Sequence, residues 1–204
     1  MKSILKMWRR ARLSAAGLLT DCSAIAATEF AVIAPMMLVM FFGTVEFSSG
    51  VAVDRKVTLV ARTLSDLTSQ STAVANSDLT NFFTASCKIL TPYPPQPTQA
   101  TITELYVDPS THQARVQWSK SATVDSSCNV TLAAGRAVSS IVTIPTQLAV
   151  DNAYVIFSEV SYLYTPTIGY VMAKSGVNLS DVSYTRPRQS TCVFFSPATA
   201  CTVL

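Results

Sequence analysis

The sequence predicts an α+β protein in which a long N-terminal transmembrane and amphipathic helix precedes a small domain with an antiparallel sheet. Three observations predict it. Residues 24–45 are almost entirely apolar or small, and about 20 helical residues cross a hydrocarbon core of ~30 Å. An apolar stripe with helical spacing follows this run. Beyond a proline-rich segment the apolar residues recur at every second position, as they do in strands.

The apolar run and the stripe predict one continuous helix from about Ile25 to Thr68. Its second half is amphipathic, so its apolar side needs a partner surface. The sequence leaves two candidates for that partner, the protein's own domain and the helices of other subunits. The stripe, with spacings of a heptad type, consists of Val53, Val57, Val60, Leu64 and Leu67.

A second helix and a hairpin follow. Asn76 or Ser77 could cap a helix that ends at Leu90, after which four prolines predict an extended linker. Residues 101–107 and 114–118 alternate as strands around a turn at 108–111, which predicts a hairpin. Further predictions are a long strand at 153–164, a short helix at 168–174 ended by Gly176, edge strands at 181–186 and 192–195, and a segment at 133–149 that fits helix and strand equally.

The predicted domain organisation has four parts. Residues 1–24 form a basic cytoplasmic leader, and residues 25–70 form the transmembrane and amphipathic helix. Residues 71–98 hold the second helix and the proline-rich linker, and residues 99–204 form a periplasmic α+β domain.

Charge sets the expected topology. Five Lys or Arg residues precede the apolar run, where Asp21 is the only acid, so the N-terminus is expected in the cytoplasm and the rest outside. From Ile25 onward 10 basic and 11 acidic residues give no basic face, so no nucleic-acid partner is expected. The apolar run exceeds the 7–15 residues of a signal peptide and lacks an Ala-x-Ala site after it, which favours a retained helix.

Four cysteines fall in the part expected to be exported, while Cys22 lies at the membrane border. In an oxidising compartment they suggest two disulfides, with three possible connectivities. Cys192 and Cys201 enclose a short loop and are the favoured pair, which leaves Cys87 with Cys128. The alternative is that they are buried free thiols.

Catalytic signals are few. His112 is the only histidine and lies in a predicted turn, where an exposed residue is the simplest interpretation. There is no glycine-rich phosphate loop, and the acids show no spacing that requires paired carboxylates. Arg186 and Arg188 could hold an anion, although a solvated loop is the ordinary expectation. No catalytic residue, metal or cofactor is therefore predicted, and the protein is not expected to be an enzyme.

Two residues in the apolar run are more than a plain anchor needs. A carboxylate such as Glu29 costs at least a few kcal/mol in a membrane unless it is paired, so it is typical of a functional position. Pro35 removes a backbone hydrogen bond, which membrane helices tolerate better than soluble ones.

The sequence around these residues resembles the TadE-like family. The resemblance lies in Glu29-Phe30 and Pro35 within residues 26–35, and in Glu46-Phe47 within residues 43–47. It extends through the amphipathic run to about Ala61. This family comprises pseudopilins, or minor pilins, of the tight-adherence (Flp, type IVc) pilus system. Residues 184–188 are also similar to endings seen in some members.

The resemblance implies a pilin-like lollipop in the bacterial inner membrane, with Glu29, Phe30, Pro35 and Glu46 acting in assembly or register. In such pseudopilins a membrane peptidase cuts so that Glu is residue 5 of the product, which here means between Ala24 and Ile25. The family usually has Gly where this chain has Ala24, and several TadE/TadG-like proteins remain uncleaved as membrane assembly factors.

The implied function is that of a minor pilin incorporated in the fibre or of a membrane assembly factor, and either would act through protein–protein contacts. The implied partners are other pilins, the tight-adherence inner-membrane machinery, a prepilin peptidase and membrane lipid. The alternative is a membrane-anchored periplasmic enzyme or binding protein that uses the helix only as an anchor.

Glu29 has two interpretations. Its carboxylate can pair with the α-amino group of a neighbouring subunit in a helix bundle and so fix the axial register. Alternatively, it can reach the cytoplasmic interface beside Arg12 or a lipid head group.

Overall fold

The first helix, α1, spans Ser23–Ser69 and continues through Pro35, which confirms the predicted continuous helix. The structure is a computed structural model that describes residues 23–95, 98–166 and 175–201. It divides into two compact units, one up to Val45 and one from Glu46 onward. Within the described residues, α1 is the one helix long and apolar enough to cross a membrane.

In the first unit, the apolar side chains of α1 project outward all round the helix. Ile25, Phe30 and Phe42 are among those that are exposed. Two threonine hydroxyls donate hydrogen bonds back to the helix, from Thr28 to the Ile25 carbonyl and from Thr44 to the Met40 carbonyl, each at 2.8 Å. Their polar groups are therefore satisfied without water, as a lipid environment requires.

In its described residues, the second unit combines the rest of α1 with a second helix and eight strands. In chain order after α1 they are β1 (Ala73–Val74), α2 (Asn76–Leu90), β2 (Thr98–Val107), β3 (Ala114–Val124), β4 (Val130–Ala134), β5 (Ile141–Val142), a 3-10 helix (Thr146–Leu148), β6 (Tyr154–Tyr164), β7 (Val177–Thr185) and β8 (Phe194–Phe195).

The main sheet is antiparallel, with the order β4-β3-β2-β6-β7 and with β5 beside β3. The predicted hairpin and the long strand are confirmed as β2–β3 and β6, and the predicted strand at 181–186 is part of β7, at one edge of the sheet. A bulge interrupts the β2–β3 register between Glu104 and Leu105. These residues pair with Trp118 and Val116, so Gln117 is the extra residue on β3.

The sheet buries both of its faces, to different extents. The larger core lies between one face and the two helices, with Ile102 and Ile156 packed against α1 residues such as Leu64. The smaller core lies on the other face, under the segment that carries β5, and includes Leu105 and Phe157. This division follows from the alternation of side chains along each strand.

Strands β1 and β8 form a separate parallel pair, in which Ala73 lies opposite Phe194 and Val74 opposite Phe195. The sequence predicted a strand at 192–195 as an addition to the sheet. The strand is present at 194–195, but it pairs with β1 and does not extend the main sheet. β8 therefore lies beside the segment that directly follows α1. The reason is that Val74 and Val193 both contribute to the helix-side core.

Other local predictions have mixed outcomes. The N-cap of α2 is Ala75 rather than Asn76 or Ser77, and Asp78 Oδ2 accepts a hydrogen bond from the Ala75 backbone N–H at 2.9 Å. The ambiguous segment at 133–149 is mostly irregular, with only the end of β4, β5 and the 3-10 helix. The helix predicted at 168–174 lies outside the described residues.

Two disulfides are present, Cys87–Cys128 and Cys192–Cys201, with Cα–Cα distances of 5.8 and 5.9 Å. This is the pairing that the spacing favoured. The first joins α2 to the β3–β4 connection, and the second closes a short loop that follows Arg188.

Candidate functional site

The assembly residues predicted in the first half of α1 lie on an exposed helix surface. Glu29 and Pro35 are exposed, and the Phe30 side chain is 71 % exposed. Among the described residues, no cation lies within ion-pair distance of the Glu29 carboxylate. This surface therefore presents a carboxylate within an apolar surround, an arrangement that is costly in lipid unless a partner supplies a cation.

Glu46, the fourth predicted assembly residue, has a different environment. Its side chain is only 3 % exposed, and it lies in the second unit. Burial, and secondly the negative charge of Glu46, raise the pKa of Tyr164 at the end of β6. The structure therefore places Glu46 against the domain, whereas Glu29, Phe30 and Pro35 remain on the exposed helix surface.

The apolar stripe of α1 is buried by the protein's own domain. Val53, Val57 and Leu64 are fully buried, Val60 nearly so, and Leu67 is half-buried. Of the two candidate partners, the domain is thus the one that covers the stripe. Each fully buried aliphatic side chain contributes about 1.5–3 kcal/mol, so these four residues are a large part of the domain's stability.

Polar contacts accompany this packing at the sheet side of α1. Ser158 Oγ on β6 donates a hydrogen bond to the Ala61 carbonyl at 2.8 Å. Further along α1, Ser65 Oγ lies 2.9 Å from Ser183 Oγ and accepts a hydrogen bond from Thr185 Oγ1 at 3.0 Å. Hydrogen bonds from short hydroxyl side chains therefore hold β6 and β7 close to α1.

Lys56 joins the two helices. Its Nζ donates to the Ile89 and Thr91 carbonyls, both at 2.7 Å, at the C-terminal end of α2. The last carbonyls of a helix lack intrahelical donors and carry partial negative charge. An ammonium group from α1 satisfies them and fixes the end of α2.

Glu104, in the middle of the sheet, is a buried carboxylate that was not among the predicted site residues. It is 2 % exposed, and its Oε1 accepts a hydrogen bond from the Val193 N–H at 2.5 Å. Trp118 Nε1 donates to the Val193 carbonyl at 2.6 Å. Burial raises the pKa of Glu104 to about 8, against hydrogen bonds from Val193 and Trp118 that lower this pKa.

A signal for Glu104 was present in the sequence. On the alternating strand β2, residues 102, 104 and 106 share a face, and Ile102 and Tyr106 are both buried. An acid between two inward-facing apolar residues indicates a buried carboxyl group. The bulge that follows at Glu104 gave no signal of its own.

The remaining candidates show ordinary surface chemistry. His112 Nδ1 lies 2.6 Å from Asp151 Oδ1 in an exposed pair. Arg188 Nη2 lies 2.6 Å from Asp66 Oδ1, and the Arg188 N–H donates to the Ser69 carbonyl at 2.9 Å, so Arg188 ties the chain to the end of α1. Within the described residues, no group of three or more His, Cys, Asp or Glu side chains could hold a metal ion.

Comparison with known proteins gives a match in the first helix. The model of a family described as TadE-like protein matches residues 24–64, which cover the exposed half of α1 and most of the buried stripe. No curated protein and no solved structure matches the chain. The resemblance carried by the two Glu-Phe pairs is thereby confirmed, and the chain is TadE-like over residues 24–64.

Proposed function

We propose that this protein is a membrane-anchored pseudopilin or assembly factor of a tight-adherence pilus and acts through protein–protein contacts. The family matched by residues 24–64 supports a pilus-associated role. The observation that carries the proposal is the contrast within α1. Its stripe is covered by the domain, so the helix surface left for other subunits is the one that presents Glu29, Phe30 and Pro35.

In this proposal α1 spans the inner membrane, with the N-terminus in the cytoplasm and the domain in the periplasm. The basic residues before the apolar run support this orientation. The two disulfides are consistent with an oxidising compartment. A reporter active only in the periplasm should be active when fused after Leu204 and inactive when fused after Ala15.

Glu29 has the role of setting the register between subunits. Its carboxylate pairs with a cation of a neighbouring subunit, such as an α-amino group, in a region where lipid offers no partner. Cleavage between Ala24 and Ile25 would place such an amino group four residues before the carboxylate in each subunit. N-terminal sequencing of the membrane-extracted protein would determine whether that cut occurs.

The experiment that tests the proposal compares Glu29→Gln with Glu29→Asp. Glu29→Gln should leave the membrane level of the protein unchanged or higher, since it removes a charge from lipid, while pilus number and co-purification with other pilins fall sharply. Glu29→Asp keeps the charge with a shorter reach and should be intermediate.

Asp54→Asn is the matched control, because it removes an exposed carboxylate from the same helix outside the apolar run. It should leave piliation unchanged. Normal pilus numbers in the Glu29→Gln strain would refute the register role, and a loss of the protein from the membrane in that strain would show that Glu29 acts in insertion instead.

A further inference from the structure

An open pocket lies in the second unit where α1 meets the β6–β7 hairpin. Phe47, Gly50 and Val51 line it from α1, and Tyr164 and Val177 line it from the ends of the two strands. Leu179 completes the apolar lining, and Asp54 stands at the rim. The pocket is therefore almost entirely apolar although it opens to the surface.

The size of the pocket limits what it can hold. Its volume is about 210 Å³, which is below the ~300–1,000 Å³ typical of sites for whole small molecules. Its walls are exposed as well, since the Phe47 side chain is 66 % exposed. A part of a longer apolar chain suits this shape better than a complete polar ligand.

The chain connection places the pocket close to the membrane. On the pocket wall, Phe47 follows the apolar run by two residues of the chain and Val51 follows it by six. The polar layer of a bilayer extends about 5–8 Å beyond the hydrocarbon core on each side. The helix also changes from apolar at Phe47 and Val51 to charged at Asp54 and Arg55.

We propose that this pocket lies in the interfacial layer of the membrane and takes the upper acyl and glycerol portion of a phospholipid. The domain then contacts the bilayer through the ends of β6 and β7 as well as through α1. Phe47 and Tyr164 are aromatic residues, and aromatic rings are enriched at this depth. The proposal rests on the membrane anchor of the proposed function.

Site-specific photocrosslinking tests the proposal in full-length protein reconstituted into vesicles of phosphatidylethanolamine and phosphatidylglycerol. Benzoylphenylalanine replaces Val177 in one variant, Leu38 in the apolar run in a second, and Ile141 in a third. Ile141 is exposed and belongs to β5, which pairs with β3 near Ala114, at the end of the sheet away from Val177. Mass spectrometry of the irradiated protein identifies each adduct.

The expected result is phospholipid adducts at positions 177 and 38, in several times the yield found at position 141. Adducts at position 38 without adducts at position 177 would overturn this inference and leave the anchor intact. A second copy of the chain crosslinked at position 177 in place of lipid would also overturn it, and would make the pocket a contact between subunits. No adduct at position 38 would overturn the anchor and this inference with it.

Peptide mapping checks the fold of each variant through its two disulfides. If the position-177 variant fails this check, position 51 on the helix side of the pocket replaces it. The Val51 side chain is exposed to the same extent as that of Val177, 37 % in both cases. The same three-way comparison with positions 38 and 141 then decides the inference.

Discussion

The two halves of α1 carry apolar side chains in opposite environments. Up to Val45 these side chains surround the helix and are exposed, and Leu38 is 55 % exposed. From Glu46 onward they form a stripe, and Leu64 is fully buried. The comparison teaches that periodicity, rather than apolar content, decides whether a helix packs on protein or faces lipid, because an all-round apolar surface has no polar side to turn to water.

The strongest test of this contrast places the same charge in each half. Leu64→Asp puts an unpaired carboxylate in the domain core and removes apolar contacts, so it should destabilise the domain by more than about 4 kcal/mol. Leu38→Asp should leave domain stability unchanged and should cost about 3 kcal/mol of membrane insertion instead. Urea denaturation in detergent measures the domain stability, and membrane fractionation measures the insertion.

Leu64→Met and Leu38→Met are the matched controls, because they keep the side-chain volume and should cost less than about 1.5 kcal/mol. A Leu38→Asp protein whose domain unfolds as readily as the Leu64→Asp protein would contradict the separation of the two halves.

The disulfide that closes the longer loop should contribute more to the stability of the fold. Cys87 and Cys128 are 41 residues apart, whereas Cys192 and Cys201 are 9 apart. Replacing the first pair by Ser should cost about 4 kcal/mol and the second about 3 kcal/mol on the chain-entropy estimate. Thermal unfolding of the two double-Ser variants shows which of them loses more stability. Equal stability of both variants and the unmodified protein would argue against bonded cysteines.

Glu104 should make the unfolding free energy of the second unit depend on pH. The first unit does not contain this group and should not share the dependence. Since burial raises the pKa of Glu104 to about 8, the folded state retains a proton that the unfolded state loses at lower pH. The stability contributed by this group is complete below about pH 4.5, falls as the pH rises and is lost above about pH 8. The loss should be about 2–4 kcal/mol between pH 5 and pH 8.5.

Glu104→Gln keeps an acceptor for the Val193 N–H and cannot ionise. The difference in unfolding free energy between the variant and the unmodified protein should therefore change across this pH range, while contributions common to both cancel. A constant difference from pH 5 to pH 8.5 would show that Glu104 titrates normally.

The smallest expected effect concerns Lys56. Lys56→Met keeps the aliphatic chain and removes the ammonium group from the Ile89 and Thr91 carbonyls. Because the carbonyls are partly accessible to water, the cost should be about 1 kcal/mol. Hydrogen exchange should quicken at the end of α2 while the amides of the sheet core keep their protection. Lys88→Met, at an exposed position on α2, is the control.

The sequence could predict the elements whose pattern is local. The helix α1, the β2–β3 hairpin and β6 are of this kind. Their signals, the spacing of apolar residues and the residues of the turn, lie close together in the sequence. The β1–β8 pair could not be predicted, since a two-residue strand has no period and its partner lies about 120 residues away. The burial of Glu104 could have been predicted from its neighbours on β2, but its partner Val193 could not, because that contact exists only once the chain is folded.

For the candidate site, the sequence indicated Glu29, Phe30 and Pro35 but could not separate them from Glu46. All four occur in similar apolar surroundings along the chain. What distinguishes Glu46 is its burial in the second unit, where its charge acts on Tyr164 of β6. Composition contains no information on such a long-range interaction.

The pairing of β1 with β8 has a consequence for when the domain folds. β1 directly follows α1, yet its hydrogen-bonded partner at 194–195 is among the later residues of the chain to be synthesised. Forming this ladder closes a loop of about 120 residues, which raises contact order and slows folding. With the proposed topology, we therefore expect the domain to complete its folding only after residues 194–195 have crossed the membrane. Until then the nascent domain should remain open to proteases.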